Sequence, residues 1–324
     1  MPGSIHVLGF IKVKNKNIDL TKTIEISSLY KRANTSFFKY LKSIFKHKSL
    51  LIGLLIFLLI LFLAILAPLI TNYDPYAQNI VTRRIPPIWY SWLWDDPKAT
   101  WDHPLGTDKL GRDYWSRLVY GARISIFIGF STMLISGLIG VTLGMLAGYF
   151  GGRVDLIVSF IITTRLALPV ILVALAVVAK HGSSLFVVVL VLGSLLWDRY
   201  AVVMRAVTQK ARSQDYVLAA KAVGCSTSRI IVREILPNVY NPLIVVASVE
   251  MANAILFEAA LSFLGLGVQP PLPSWGLMLA EAKEDIFFSP WMITIPGLSL
   301  FTLVLSINLL GDGLRDASAP QGRN

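Results

Sequence analysis

The sequence predicts an all-α integral membrane protein with six transmembrane helices. Three observations carry this reading. Hydrophobic residues make up 55% of the 324 residues and charged residues only 15%, against about 45–50% and about 25% in soluble domains. The apolar excess is gathered into six long runs, each near the roughly 20 residues that cross about 30 Å of hydrocarbon. Most of the cations lie outside these runs, 30 Lys and Arg against 19 Asp and Glu in the whole chain, and they concentrate on alternate connections. That pattern fits membrane orientation better than nucleic-acid binding.

Taken in order, residues 1–48 form a polar tail in which Lys12, Lys14, Lys16, Lys22, Lys31, Arg32, Lys39, Lys42, Lys46 and Lys48 face only Asp19 and Glu25. The positive-inside rule makes this tail cytoplasmic. The first apolar run, 49–70, is too long for a signal-peptide core and lacks a small-residue cleavage pattern, so it reads as a retained transmembrane helix. Residues 71–118 carry balanced charge with many Trp, Tyr and Pro residues, which suits an extracytoplasmic loop near the headgroups. The second span covers 122–149, with Gly140, Gly144 and Gly148 on one face, a spacing that permits close helix approach; glycines merely tolerated in a span are the plainer alternative.

The third span, 155–179, contains Pro169, which predicts a kink. The fourth covers 185–204, the fifth 242–264 and the sixth 291–311, the last bent at Pro296–Gly297. A polar stretch at 267–290 is mostly acidic, with Glu281, Glu284 and Asp285 against Lys283. Six spans put both termini on one side. With the N-terminus inside, the basic segment 205–238 is inside and the acidic stretch outside, and 314–324 is a second cytoplasmic tail. Cys225 is the single cysteine, so an internal disulfide is excluded. His6, His47, His103 and His181 show no ligand spacing, and no metal site is expected.

Segment 205–238 is a basic elbow between membrane spans. Ser213 reads as an N-cap and Asp215 lies in the first turn, near the positive end of the helix dipole. Tyr216, Ala219, Ala220 and Val223 share a face, and Gly224 is a natural helix stop. Ser226 or Ser228 caps a second helix that gathers Ile230, Ile231 and Ile235 before Pro237 ends it. Arg229 and Arg233 sit one turn apart. The residues alone leave two readings open, an amphipathic loop lying on headgroups and a docking surface for a cytoplasmic partner.

The run Ala219-Ala220, Gly224, Leu236-Pro237 resembles the signature of permease subunits in bacterial ABC importers. Leu218 departs from it where Glu is usual, and Glu234 departs where Ile or His is common. Residues 103–129, 258–279 and 308–317 resemble the dipeptide, oligopeptide and nickel branch of that family, in the order of its C-type permease. The resemblance implies that 119–313 is a type I ABC importer transmembrane domain that pairs with a second homologous permease. It further implies two cytoplasmic ATPase subunits that bind ATP and Mg, an extracytoplasmic substrate-binding protein, and a chain that binds no cofactor and performs no catalysis. In that setting Tyr216, Ala219, Ala220, Gly224, Arg229, Leu236 and Pro237 couple to an ATPase. The transporter then rocks between inward- and outward-facing states in the bacterial inner membrane. Peptides are the favoured substrate, with nickel or another small solute as the alternative. A stand-alone secondary transporter or channel is the competing class; such transporters show internal repeats, and none is evident here.

Gly106, Gly111, Arg112 and Asp113 approach a phosphate-binding loop, but such a loop needs Lys and then Ser or Thr after its second glycine. Asp113 would repel phosphate, so a structured entry into the second span is expected instead. Among acids near the spans, Asp198 and Arg199 are expected to pair with each other, and Glu258 to sit structurally between helices. Glu250 is the candidate for lining the translocation path, where its carboxylate could meet a peptide ammonium or a metal cation.

Overall fold

The computed structural model describes residues 47–318. The basic tail expected over 1–48 lies outside the described residues except for its last two. Helix α1 spans Lys48–Ile65 and is followed by one turn, Ala67–Ile70, which starts around Pro68. A short helix α2, Trp89–Trp94, lies in the following loop. The long helix α3 spans Tyr114–Phe150, and α4 (Gly152–Leu166) and α5 (Val170–His181) follow it. Helices α6 (Leu185–Leu195) and α7 (Asp198–Arg212) join through a single turn into one span. The elbow helix α8 spans Asp215–Ala222, α9 spans Tyr240–Phe263, the short α10 spans Trp275–Ala282, and α11 spans Trp291–Ser318.

Five of these helices are long and apolar enough to cross a membrane, and six spans result when the bent pair α4–α5 counts as one. The protein is therefore all-α and multi-pass. The third span is not the single kinked helix that Pro169 suggested. It breaks into two helices bent by 83°. Pro169 has no N–H to continue the ladder, and Arg165 stabilises the break by donating to Leu168 O and Leu195 O.

The second span also starts earlier than the apolar run. Asp113 is its N-cap, with Oδ2 accepting from Ser116 N at 2.8 Å and Oδ1 2.8 Å from His103 Nδ1. Such a cap satisfies one of the otherwise unpaired N–H groups at a helix start. Gly106 and Gly111, both at positive φ, shape the loop before it, and Thr107 bridges to Asp113. At the far end, α11 continues past 311 as one helix with Pro296 inside it.

The main core lies among α3, α9, α10 and α11, where Tyr114, Ile255, Trp275, Met278 and Leu303 are buried together. Helix α10 is held against α3 by Trp275, whose Nε1 donates to Leu118 O at 2.8 Å. Along the other side of α3, the glycine face meets α6–α7 backbone to backbone. A methyl group on Gly140 would stand 2.2 Å from Trp197 O, on Gly144 2.5 Å from Ala201 O, and on Gly148 2.7 Å from Arg205 O.

Charge ties the two loops together at the Tyr114 end of α3. Asp108 Oδ1 accepts from Leu110 N and Arg112 N, and its Oδ2 accepts from Arg112 Nε and Arg117 Nη1. Glu281 accepts from Arg112 at 2.9 Å and Arg117 at 2.6 Å. Arg84 pairs with Asp285 at 2.7 Å and Lys109 with Glu284 at 3.4 Å. The acids of 267–290 thus neutralise cations of 71–118, so both loops lie at one end of the bundle. Burial pushes the Asp108 carboxyl up, but Arg117, Arg112 and the two backbone N–H groups outweigh it and hold the group below the usual carboxylate range.

Two predictions follow from this packing. Gly144→Ala is expected to lose about 1–3 kcal/mol by overpacking, read as a lower melting midpoint in detergent. Gly297→Ala, whose added methyl meets only Leu279 at 3.8 Å, is the control and should not fall; equal losses in the two variants would refute the seam's importance. For Asp108 the folded pKa lies below the unfolded value of about 3.9. Its stabilisation is therefore complete above that value and is lost as pH falls through the lower, folded one. Asp108→Asn should cost about 3–5 kcal/mol near neutral pH by leaving buried guanidinium charge uncompensated, with the gap to the parent narrowing in acid. Coincident melting curves at pH 7 would count against the network.

Candidate coupling elbow and membrane-embedded charges

The elbow sits at the Phe150 end of α3, opposite the charge-paired loops. Its root is fixed by three contacts. Arg212 Nη1 donates to Tyr149 O at 2.9 Å, Lys221 Nζ lies 5.1 Å above the Tyr149 ring, and Arg205 forms a two-point pair with Asp155. Under the elbow, Val217, Ile230 and Ile235 join Met145, Met204 and Val239 in a buried cluster, with Ala220, Cys225 and Leu236 half-buried against it.

Ser213 is not the N-cap of α8. It belongs to the end of α7, where its hydroxyl donates to Lys210 O, and Gln214 takes the cap position without a side-chain bond. Residues 205–212 accordingly extend the fourth span rather than open the elbow. The helix ends in a left-handed Gly224 (φ 82°), with Gly224 N bonded to Lys221 O and Cys225 N to Ala220 O. Those two bonds are the reciprocal pair of a Schellman stop.

The second elbow helix is not a regular α-helix. One α turn, Thr227–Arg229, passes into a π segment, Ile230–Ile235, and then a 3₁₀ turn, Leu236–Asn238, containing Pro237. Neither Ser226 nor Ser228 caps it through its side chain. An α-helix at about 100° per residue would set Ile230 and Ile235 about 140° apart; the wider π turn lets both point into the cluster.

The remaining face of α8 is open. Tyr216, Leu218 and Ala219 are exposed and Val223 is 82% exposed, while Ala220 is half-buried. Arg229 and Pro237 are also exposed. A methyl group added at Gly224 would meet nothing within 4 Å, so only its backbone conformation demands glycine.

In the membrane region, Glu258 joins α9 to α10. Its Oε1 accepts from Ser262 Oγ at 2.7 Å and Ser274 Oγ at 2.9 Å. Asp198 and Arg199 do not pair with each other as expected. Asp198 faces Arg165 at 3.9 Å, while Arg199 Nη1 lies 3.2 Å from Glu250 Oε1. Asn253 Nδ2 also donates to Glu250, at 3.3 Å. Among the described residues, no group of three or more His, Cys, Asp or Glu side chains is placed to hold a metal ion.

Comparison with known proteins places this architecture. Residues 140–323, over half of the chain, match the family model described as the inner membrane component of binding-protein-dependent transport systems. The chain belongs to this family. The permease match encloses both the elbow and the Arg199–Glu250 pair. Residues 36–87 match a second model, the N-terminal transmembrane domain of oligopeptide transport permease C.

The di/tripeptide transport system permease protein DppC of Pseudomonas aeruginosa is 42% identical over 286 residues, which is 88% of this chain and 92% of that one. The dipeptide permease DppC of Haemophilus influenzae is 40% identical over 276 residues (85% and 92%). The glutathione permease GsiD of Pectobacterium atrosepticum is 39% identical over 276 residues (85% and 88%). A chain of the methionine ABC transporter MetNI, in an inward-facing conformation, matches 62% of this chain and 96% of its own length at 16% identity and a TM-score of 0.50. That likeness speaks for the fold of a permease domain alone.

The contacts missed by sequence reasoning share one property. Val217 as the elbow's anchor, Arg165 at the span break and Arg199 as partner of Glu250 all depend on residues far apart in the chain. The Asp113 cap, by contrast, was available from Asp-x-x-Ser before an apolar run.

Proposed function

We propose that this chain is the C-type permease subunit of an ATP-driven importer that carries di- or oligopeptides across the bacterial inner membrane. It contributes no catalysis of its own; ATP and Mg are bound by two partner ATPases. A second homologous permease completes the channel, and an extracytoplasmic binding protein delivers substrate. The observation that carries the reading is the elbow, a short helix whose open face carries Tyr216, Leu218, Ala219 and Val223 on a root fixed by three contacts, at the end of the bundle opposite the charge-paired loops. The relatives' named substrates, di/tripeptide, dipeptide and glutathione, are all peptides and support the substrate class.

The cations Arg205, Lys210, Arg212, Lys221, Arg229 and Arg233 gather at the elbow end, which the positive-inside rule makes cytoplasmic. Tails 1–48 and 314–324 then lie inside, and loop 71–118 lies outside. In this reading an ATPase groove receives Tyr216, Ala219, Ala220 and Val223. Gly224 shapes the turn, Arg229 lies at the rim, and Leu236–Pro237 close the elbow. The exposed Leu218 stands where the resembled signature has Glu, so shape rather than an acidic contact dominates the docking. Closure of the ATPase dimer then moves the root of α7.

A tagged chain purified in mild detergent should bring down a second permease and two ATPases. Ala219→Trp and Val223→Asp, on the open face, should lose the ATPases and retain the second permease. Gly224→Pro should leave ATP hydrolysis running without uptake. A chain that transports peptide alone in liposomes would reject the proposal.

A further inference from the structure

Helices α7 and α9 bring a cation and an acid together within their spans. Glu250 stands ten residues past Tyr240 in the 24-residue α9, about 15 Å along an axis of about 36 Å. Arg199 stands fourteen residues past Leu185 in the 28-residue span Leu185–Arg212. The cation-bearing end from Arg205 on lies beyond the apolar run, so Arg199 stands about two-thirds of the way along 185–204, toward the elbow end, and Glu250 in the elbow-side half of α9; inside a span a charge facing lipid is disfavoured, and a charge in place marks a solute path or a protein contact. Glu250 is 1% exposed. Arg199, by contrast, keeps 59% of its side chain open while pairing with Glu250 at 3.2 Å.

Neighbouring charges are already engaged. Arg165 holds Leu168 O and Leu195 O and faces Asp198. Among the described residues, Glu250 is the one acid within ion-pair distance of Arg199. An open guanidinium at this depth faces water or protein in the assembled transporter, because hydrocarbon would exclude it.

We infer that Arg199 and Glu250 read the two ends of a zwitterionic peptide as it crosses, Arg199 taking the carboxylate and Glu250 the ammonium. This rests on the peptide-importer reading above. The chemistry is a partner exchange. With the path empty, the two side chains neutralise each other. A peptide opens the pair and gives each charge a new opposite partner, so no charge is left uncompensated in a low-dielectric site. When the peptide leaves, the pair closes again. A solute with one blocked end leaves one of the two charges unpartnered, and its passage is slowed.

The test uses the complete transporter in proteoliposomes with its binding protein. Uptake of a dipeptide, its N-acetylated form and its C-amidated form is measured at concentrations that saturate the binding protein. The parent complex should favour the free dipeptide over either blocked form by about tenfold or more. Arg199→Gln should slow the free dipeptide to the rate of the amidated one, with amidated uptake roughly unchanged. Glu250→Gln should remove only the preference against acetylation. Copurification of all subunits establishes assembly of each variant. If a single glutamine variant does not assemble, the double variant Arg199→Gln/Glu250→Gln, which leaves neither charge unpaired, carries the comparison and should lose both preferences. Equal slowing of all three peptides, or no change in any, overturns the inference. A parent complex that takes up no peptide overturns the importer reading itself, so the two failures are distinct.

Discussion

Helices α3 and α7 meet backbone to backbone at three glycines of α3, and the rest of the molecule is arranged around that contact. Gly140, Gly144 and Gly148 let the carbonyls of Trp197, Ala201 and Arg205 approach to distances at which no added methyl fits. Inside a bilayer, lipid tails are as apolar as leucine, so burial alone does not bring helices together; close van der Waals contact does. The seam fixes the height and rotation of α7. It thereby sets Arg205 against Asp155, Arg212 against Tyr149 O, and Arg199 against Glu250.

One helix therefore links the two places where function is proposed. Arg199 lies at the start of α7 and Arg212 lies at its end, thirteen residues on, about 20 Å along the axis. The elbow hangs from that end and is locked to it by Val217, Ile230 and Ile235. In the proposed coupling, a push on α8 passes through this buried cluster to α7 and along it to the Arg199–Glu250 pair. The break at Pro169 adds to this, because α4 and α5 bend away and Arg165 reaches across to Leu195 O beside α7.

Much of the fold was legible because membrane insertion imposes a simple rule on sequence. Backbone polar groups must be paired within each span, so spans are long apolar helices, and the runs at 49–70, 242–264 and 291–311 mark three of them closely. Their ends were less legible. Tyr114–Ala122 is helical although it is polar enough to resemble a loop, because Asp113 caps it and Arg117 is buried against Asp108 and Glu281. The elbow's glycine stop was visible from residue type alone, since Gly224 occupies a conformation that other residues avoid. Its π turn was not, because it depends on Pro237 and on a cluster assembled from distant helices. Pairing was the least legible feature. Asp198 and Arg199 are adjacent in sequence but project from a helix in different directions, so their partners come from other elements.

The charge pairing between the loops at the Tyr114 end of α3 has a consequence for whatever alights on that end. Loop 71–118 is long, and a chain of that length left free would lose much conformational entropy on being pinned by a visitor. Here Asp108, Arg112, Arg117 and Glu281, with Arg84 and Asp285 beside them, have already fixed its course against α10. That rim is thus a preset contour, and association there forgoes little disorder. A docking protein can then recognise relief rather than mould it.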